Sequence, residues 1–197
     1  MPRTPEENER IRRLAKENIR AAAIEVFIEK GYHAASIEDV AKRAGISKGL
    51  LYNYFRGKAD LLLELVESRV QEIIEVMEEA LTKPTPLEQL HYIADHALLN
   101  VQEKPSVYRF YLHIQTHPHA DEVVSASSQK LKDEMFRQAQ VQSEIFQRLG
   151  VQNPQLKSLH FSTALHGIML MYSSYSDQFP LQRLKEEMLL PFFESLA

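Results

Sequence analysis

The sequence predicts an all-α protein, and three observations carry that expectation. Apolar residues recur at spacings of three and four through nearly every stretch long enough to hold a helix, the breaks between those stretches fall on Pro or Gly, and no run alternates apolar and polar residues as a half-buried strand would. There is no internal repeat and no low-complexity stretch, and 197 residues suffice for one large domain or two small ones with ample core.

Residues 1 to 6 contain two prolines and are expected to form a mobile arm. A first helix follows, with Ile19, Ala22, Ala23, Val26 and Phe27 as its apolar stripe and Gly31 closing it. Ser36 is a good N-cap, and Asp39 three residues on can return a bond to its amide, so a second helix starts at Ile37 and turns Val40, Ala41 and Ala44 to the same side. Gly45 supplies a left-handed residue that ends this helix. Ser47 caps a third helix, about Ser47 to Phe55, whose Leu51 and Phe55 dock on the second. Two helices joined by so tight a turn cross steeply, which is helix-turn-helix geometry. Gly49, Leu50 and Asn53 then point away from the docked row, with Lys48, Tyr52 and Tyr54 on its flanks.

A fourth helix runs from about Lys58 to Leu81, with Leu61, Leu62, Leu65, Val66, Val70, Ile73, Ile74 and Met77 inward. At ~36 Å it is long enough to belong to both halves of the molecule. Lys83-Pro84-Thr85-Pro86 breaks the chain, and further helices are expected near Leu87 to Glu103, Ser106 to Thr116, Asp121 to Leu149, Gln155 to Ser176 and Leu181 to Leu196. Pro105, Pro118, Gly150 with Pro154, and Pro180 separate them, so the body is a helical bundle.

Charge and composition narrow the function. The net charge is -4, yet residues 1 to 58 hold 12 Lys/Arg against 8 Asp/Glu, and the remainder holds 11 against 19. A basic head of +4 on an acidic body of -8 suits a polyanion at one end only. From Lys42 to Lys58 there are five cations, Lys42, Arg43, Lys48, Arg56 and Lys58, and no carboxylate. That patch, beside two tyrosines, an Asn and a Gly on a short exposed helix, fits DNA phosphates and base edges. The absence of cysteine excludes disulfides and thiolate chemistry and agrees with a reducing compartment. The charged start of the chain does not read as a signal peptide, and the longest apolar run, Ile168 to Tyr172, is far short of a membrane span, so a cytoplasmic protein is expected.

The stretch GYHAASIEDVAKRAGISKGLLYNYFRGKADLL resembles the DNA-binding domain of the tetracycline-repressor (TetR/AcrR) family of bacterial transcription regulators. The match covers about Ile19 to Leu65 and rests on Gly31, Ser36, Gly45, Leu51-Tyr52, Phe55 and Lys58 at these spacings; Tyr54 stands where the family often has His. The resemblance implies a helix-turn-helix domain over 1–57 with an N-terminal arm, and an effector-binding and dimerisation domain over 58–197. It implies Ser36, Tyr52, Tyr54 and Lys58 as phosphate contacts, Lys48, Gly49, Leu50 and Asn53 as the positions nearest bases, and Ser47 as a cap beside a phosphate. Arg3, Arg10, Arg12, Arg13 and Lys16 fit either a phosphate backbone or minor groove, or an ordinary solvated helix start biased by Glu6, Glu7 and Glu9.

The family also implies a cavity among the helices after the fourth, here lined from Met77, Tyr92, His96, Leu99, Tyr108, Tyr111, Phe136, Phe161, Leu165, Met169 and Tyr172. Tyr92, His96 and Leu99 share one face at i, i+4 and i+7. Buried hydroxyl and imidazole groups need partners, so an effector that is not wholly aliphatic is expected. Leu159, Gly167, Met171 and Ser174 on one helix, and Leu184, Met188, Leu189, Phe192 and Phe193 on the last, leave apolar surface for a symmetric dimer; the other reading is that they close the monomer core.

Candidate chemistry elsewhere is thin. His113, His117 and His119 cluster, but Pro118 breaks the helix between the last two, and surface histidines are the ordinary reading. Glu88-Gln89-Leu90-His91 matches one Glu-x-x-His element where di-iron bundles need two. No catalytic motif, phosphate loop, metal set or cofactor site is expected. The expectation is therefore a non-enzymatic, homodimeric, ligand-responsive repressor that reads a palindromic or near-palindromic operator and leaves it when a small molecule binds. The alternative is a small-molecule binding protein whose helix-turn-helix is vestigial, and a metal-dependent bundle enzyme ranks behind both.

Overall fold

The computed structural model describes residues 4–117, 121–175, 178 and 180–196. Its elements are α1 (Pro5–Lys30), α2 (Ile37–Arg43), α3 (Lys48–Tyr52), α4 (Lys58–Leu81), α5 (Pro86–Glu103), α6 (Pro105–Thr116), α7 (Glu122–Arg148) and α8 (Pro154–Tyr175). A last segment is made of α9 (Leu181–Leu184), a π-helical turn (Lys185–Leu189) and α10 (Leu190–Glu194). No strand occurs among the described residues, and the molecule is an all-α helix-turn-helix head on a helical bundle. His119, Pro118, Arg3 and Ser176, which figured in the expectations above, lie outside the described residues.

Local chemistry sets the helix ends. Thr4 caps α1, which starts at Pro5, so residues 5 and 6 are helix rather than free arm. Ser36 and Asp39 form the reciprocal capping box, with the Asp39 amide donating to Ser36 Oγ at 3.2 Å and the Ser36 amide donating to Asp39 Oδ2 at 3.0 Å. Gly45 adopts φ 69°, and its amide and that of Ile46 donate to the Lys42 and Ala41 carbonyls at 3.3 and 3.0 Å. The third helix is shorter than its pattern predicts. The Leu51 carbonyl accepts from both Tyr54 and Phe55 amides, at 2.9 and 3.0 Å, which ends α3 at Tyr52 and places Asn53 and Tyr54 in the following turn. Thr85 and Glu88 form a second capping box, so Glu88 is occupied as a cap, while His91 stacks on Phe193 at 3.9 Å. At the C-terminal end, Pro191 has no amide to offer the preceding turn, and the Leu190 amide reaches back to Lys185 in a widened turn.

Two cores result, and α4 serves both. The first joins Ile19, Val26 and Phe27 of α1, Val40 of α2, Leu51 and Phe55, and Leu61, Leu62, Leu65 and Val66 of α4 to Phe110, Tyr111 and Ile114 of α6 and Val124 and Leu131 of α7. Phe27 stacks on Phe110 at 6.2 Å between centroids. Each fully buried Leu contributes about 1.5–3 kcal/mol, so α4 and α6 hold the head against the body strongly. The second core gathers Met77 and Ala80 of α4, Leu90, Ile93 and Leu98 of α5, Phe146 of α7, Phe161, Leu165 and Met169 of α8, and Leu189, Phe192 and Phe193. These last three were expected to lie in a dimer face, but the tail folds them back against Phe146 and Phe161 within the monomer.

Candidate nucleic-acid interface and effector cavity

The head presents α3 outward on an apolar anchor. Leu51 is fully buried and Phe55 nearly so, while Lys48, Gly49, Leu50, Tyr52 and Asn53 are exposed. Ser47 accepts the Leu50 amide at 3.1 Å, fixing the start of the helix. A Cβ placed on Gly49 would meet nothing within 4 Å, so this face is open. Lys48 Nζ lies 3.4 Å from Glu38 Oε2, an exposed pair worth about 0–1 kcal/mol, which a guanine or phosphate can displace at little cost.

Two of the phosphate-contact candidates, Lys58 and Ser36, also make hydrogen bonds within the head. Lys58 Nζ donates to the His33 and Ala35 carbonyls at 2.8 and 3.0 Å and sits 4.7 Å above the Tyr32 ring, so its ammonium ties the α1–α2 loop to the start of α4. The Ser36 hydroxyl donates to Asp39 Oδ2 at 2.7 Å, so its proton is engaged within the cap. The Lys30 ammonium and the Ser36 hydroxyl and amide bond Asp39, and together they hold its carboxyl down to about 2. Tyr54 is half-buried, packed on the first core, and the Arg12 guanidinium lies 5.9 Å from its ring centre.

The cavity opens between α4, α5, α6, α7 and α8 and has a volume of about 180 Å³. Six of the residues expected on it do line it: Met77, His96, Tyr108, Tyr111, Leu165 and Met169. Five do not. Leu99 and Phe136 are 51% and 64% exposed on the outer faces of α5 and α7. Phe161 is buried among Phe146, Phe192 and Phe193 in the second core, and Tyr172 packs on its edge. Tyr92 stacks on His96 at 4.1 Å beneath the Lys83 ammonium. The reason on α5 is a phase difference: the face turned inward is Ile93, His96, Ala97 and Asn100, one position off the Tyr92–Leu99 face.

On the α4 and α7 walls the sequence pattern pointed to Met77 and Phe136 and missed Arg69, Glu72, Ile73 and Val76 on one and Leu131, Met135, Gln138 and Gln142 on the other as lining residues. Their signal, a mixed polar and apolar stripe at helical spacing, is visible only once the opposing helices are known. Arg69 pairs with Glu72 at 3.1 Å, and its guanidinium lies 5.9 Å from the Tyr111 ring. Tyr111 donates its hydroxyl to the Leu65 carbonyl at 3.0 Å, and burial pushes its phenol pKa up. Gln142 Oε1 accepts from the Ser158 and Ser162 hydroxyls at 3.3 and 2.8 Å. Apolar walls with a few fixed polar groups suit an amphipathic small molecule.

The His113 and His117 rings stack at 4.1 Å, and among the described residues no three His, Cys, Asp or Glu side chains converge on a metal position. No helix among the described residues is long and apolar enough to cross a membrane. On the outer face of α8, Leu159, Gly167, Met171 and Ser174 are exposed, and so is Met188 of the last segment, while Leu184 is half-buried.

A family model described as bacterial regulatory proteins, tetR family, matches residues 19–65. The HTH-type transcriptional activator FasR of Mycolicibacterium smegmatis is 33% identical over 118 residues, 58% of this chain and 54% of that protein. The fatty acid metabolism regulator protein of Bacillus subtilis is 41% identical over 70 residues, 35% of this chain and 36% of its own length. The chain thus spans about half the length of the first and about a third of the second. Among solved structures, the transcriptional regulator FadR of Bacillus subtilis, in complex with stearoyl-CoA, shares the fold with a TM-score of 0.66 at 21% identity, over 91% of this chain and 96% of that one.

Proposed function

We propose that this chain, whose residues 19–65 match the family model of tetR bacterial regulatory proteins, is a member of that family and a homodimeric, ligand-responsive transcription regulator, a repressor released from its operator by a small molecule. The observation that carries the proposal is α3: an apolar anchor at Leu51 beneath an open surface of Lys48, Gly49, Leu50, Tyr52 and Asn53. Lys48 donates to guanine O6 or N7, Leu50 meets a thymine methyl, and Gly49 allows close backbone approach. Tyr52, Tyr54 and Ser47 position the head on phosphates. Two heads related by a two-fold axis enter successive major grooves ~34–36 Å apart. The exposed α8 stripe of Leu159, Met171 and Ser174, with Met188, forms the dimer contact in this proposal.

The effector is a long-chain acyl-CoA. A relative in Bacillus subtilis is named for fatty acid metabolism, a solved structural neighbour from the same organism is bound to stearoyl-CoA, and the cavity offers an acyl chain Met77, Ile93, Leu131, Leu165 and Met169. Arg69, His96, Asn100 and Gln138 meet the polar end. Occupancy displaces Tyr111 and Leu131, which line the cavity and also belong to the core under the head, and so respaces the two heads. A tenfold release needs only ~1.4 kcal/mol of preference for the respaced conformer. The protein acts in the cytoplasm, and no catalytic step is proposed for it.

The test is selection of bound duplex from a random pool at physiological salt, repeated with stearoyl-CoA. The expected result is a near-palindromic site whose recovery falls with the thioester. Recovery of no sequence identifies a ligand-binding protein with a vestigial head, and recovery unaffected by acyl-CoA removes the effector assignment alone.

A further inference from the structure

We propose that Arg12 of α1, outside the stretch that matches the family, is a phosphate-binding residue that grips one DNA phosphate jointly with Tyr54. The inference rests on the DNA-binding proposal above and adds to it a contact that no family motif supplies.

The first observation is position. Every residue from Pro5 to Leu14 is exposed, so α1 runs on for ten residues, about 15 Å, before it meets the core of the head. Within that run Arg12 turns back toward α3 and sets its guanidinium 5.9 Å from the Tyr54 ring; one turn on, the Lys16 ammonium lies 5.7 Å from the Phe55 ring. Arg12 therefore stands beside Tyr54, in the turn that follows the recognition helix.

The second observation is charge. Arg13, Lys16, Arg20, Lys30, Arg43 and Lys48 each have a carboxylate within 4.0 Å, and a phosphate must displace it. Among the described residues Arg12 has no such partner. A guanidinium presents a planar fork that matches phosphate geometry, and an aromatic face beneath it leaves its edge donors free.

The third is rigidity. Asn18 Nδ2 donates to the Ala44 carbonyl at 2.9 Å, Arg43 bonds Glu25 and Glu29 at 2.8 and 2.6 Å, and Arg20 lies 3.5 Å from Glu64. These ties run from α1 to both α2 and α4, so the axis that carries Arg12 is fixed before DNA arrives and little ordering cost attends the contact.

The experiment uses the full chain and a duplex that wild type selects from a random pool. Arg12→Gln is expected to weaken binding to the selected and to a scrambled duplex by the same factor and to lower the salt slope by about 0.9 per head. Arg12→Gln combined with Tyr54→Phe is expected to fall short of the product of the two single losses, because both act on one phosphate. A methylphosphonate scan of the duplex is expected to find one position at which wild type loses more affinity than either single variant. Lys104→Gln, an exposed cation between α5 and α6 on the acidic body, serves as the matched surface change and leaves the slope unaltered. An unchanged slope in Arg12→Gln, an altered base preference, or additive losses would each overturn the assignment. Wild type that selects no duplex overturns the DNA-binding proposal itself, a result distinct from all three.

Discussion

Replacing Lys58 with Met keeps the aliphatic stem and removes the ammonium, which separates two roles for this residue. In the structure Nζ donates to two main-chain carbonyls, at 2.8 and 3.0 Å, and lies 4.7 Å above Tyr32. Hydrogen bonds from a charged donor are each worth about 1.5–3 kcal/mol, but the His33 carbonyl faces solvent and regains water when the lysine is lost. The Ala35 carbonyl is part-buried and recovers less. Together these give a loss of about 2 kcal/mol, or about 4–8 °C in Tm for a chain of this size.

Urea unfolding followed by circular dichroism measures the first quantity, and a salt titration of DNA binding measures the second. Lys58→Met is expected to lower the urea midpoint with an unchanged m-value and to leave the salt slope where it was. The family pattern implies the opposite: a phosphate contact whose loss leaves stability within about 0.5 kcal/mol and lowers the slope by about 0.9 per head. That second outcome would refute the assignment of Lys58 as an internal tie.

Other changes test other links. Gly45→Ala meets no atom within 4 Å, so its cost is conformational alone, about 1 kcal/mol for a left-handed residue at φ 69°; calorimetry of the variant measures it, and an unaltered Tm would mean the turn tolerates another geometry. Asp39 has its pKa lowered to about 2 in the folded state against 3.8 for the free group, so its carboxylate favours folding above pH ~4, and that contribution fades as pH falls through about 2. Asp39→Asn is accordingly expected to be less stable than wild type at pH 7 and to converge with it near pH 2, and a constant difference across that window would contradict the assigned bonds. Leu159→Glu with Met171→Glu, at positions 62% and 42% exposed, is expected to convert a dimer to a particle of 22.8 kDa in light scattering and to abolish tight operator binding. Wild type that already measures 22.8 kDa removes the proposed interface.

What the sequence reveals divides by range. The α2–turn–α3 unit was legible because each of its determinants is local: Ser36 with Asp39, Gly45 with its own amide and that of Ile46, and Ser47 with Leu50 all act within about five residues. The same holds for the Pro and Gly breaks. Lys58 was not, since its partners lie 25 and 23 residues upstream and a resemblance in pattern carries no information on where an ammonium points. On α5 the apolar and aromatic positions allow two faces one residue apart, and only packing against α8 and α4 chooses Ile93–His96–Asn100 over Tyr92–His96–Leu99. On α8 apolar residues occur all round the helix, so Phe161 inside and Leu159 outside read alike in the sequence.

On the proposed function, the placement of the cavity along α4 gives a ligand bound there a route to α3. From Leu61 to Val66 this helix packs in the core of the head, from Arg69 to Met77 it walls the cavity, and from Met77 to Ala80 it enters the core of the body. The three environments follow one another on a single rod, so a ligand cannot shift the middle stretch without moving one end relative to the other. Tyr111 adds a second route, since its ring lines the cavity while its hydroxyl holds the Leu65 carbonyl and its neighbour Phe110 stacks on Phe27 of α1. Both routes end on residues that support Leu51 and Phe55, the anchors of the recognition helix. A head that shared no core with the body would be free to turn whatever the cavity held; the proposed regulation needs the shared core seen here, in which Tyr111 and Leu131 belong both to the cavity wall and to the packing under the head.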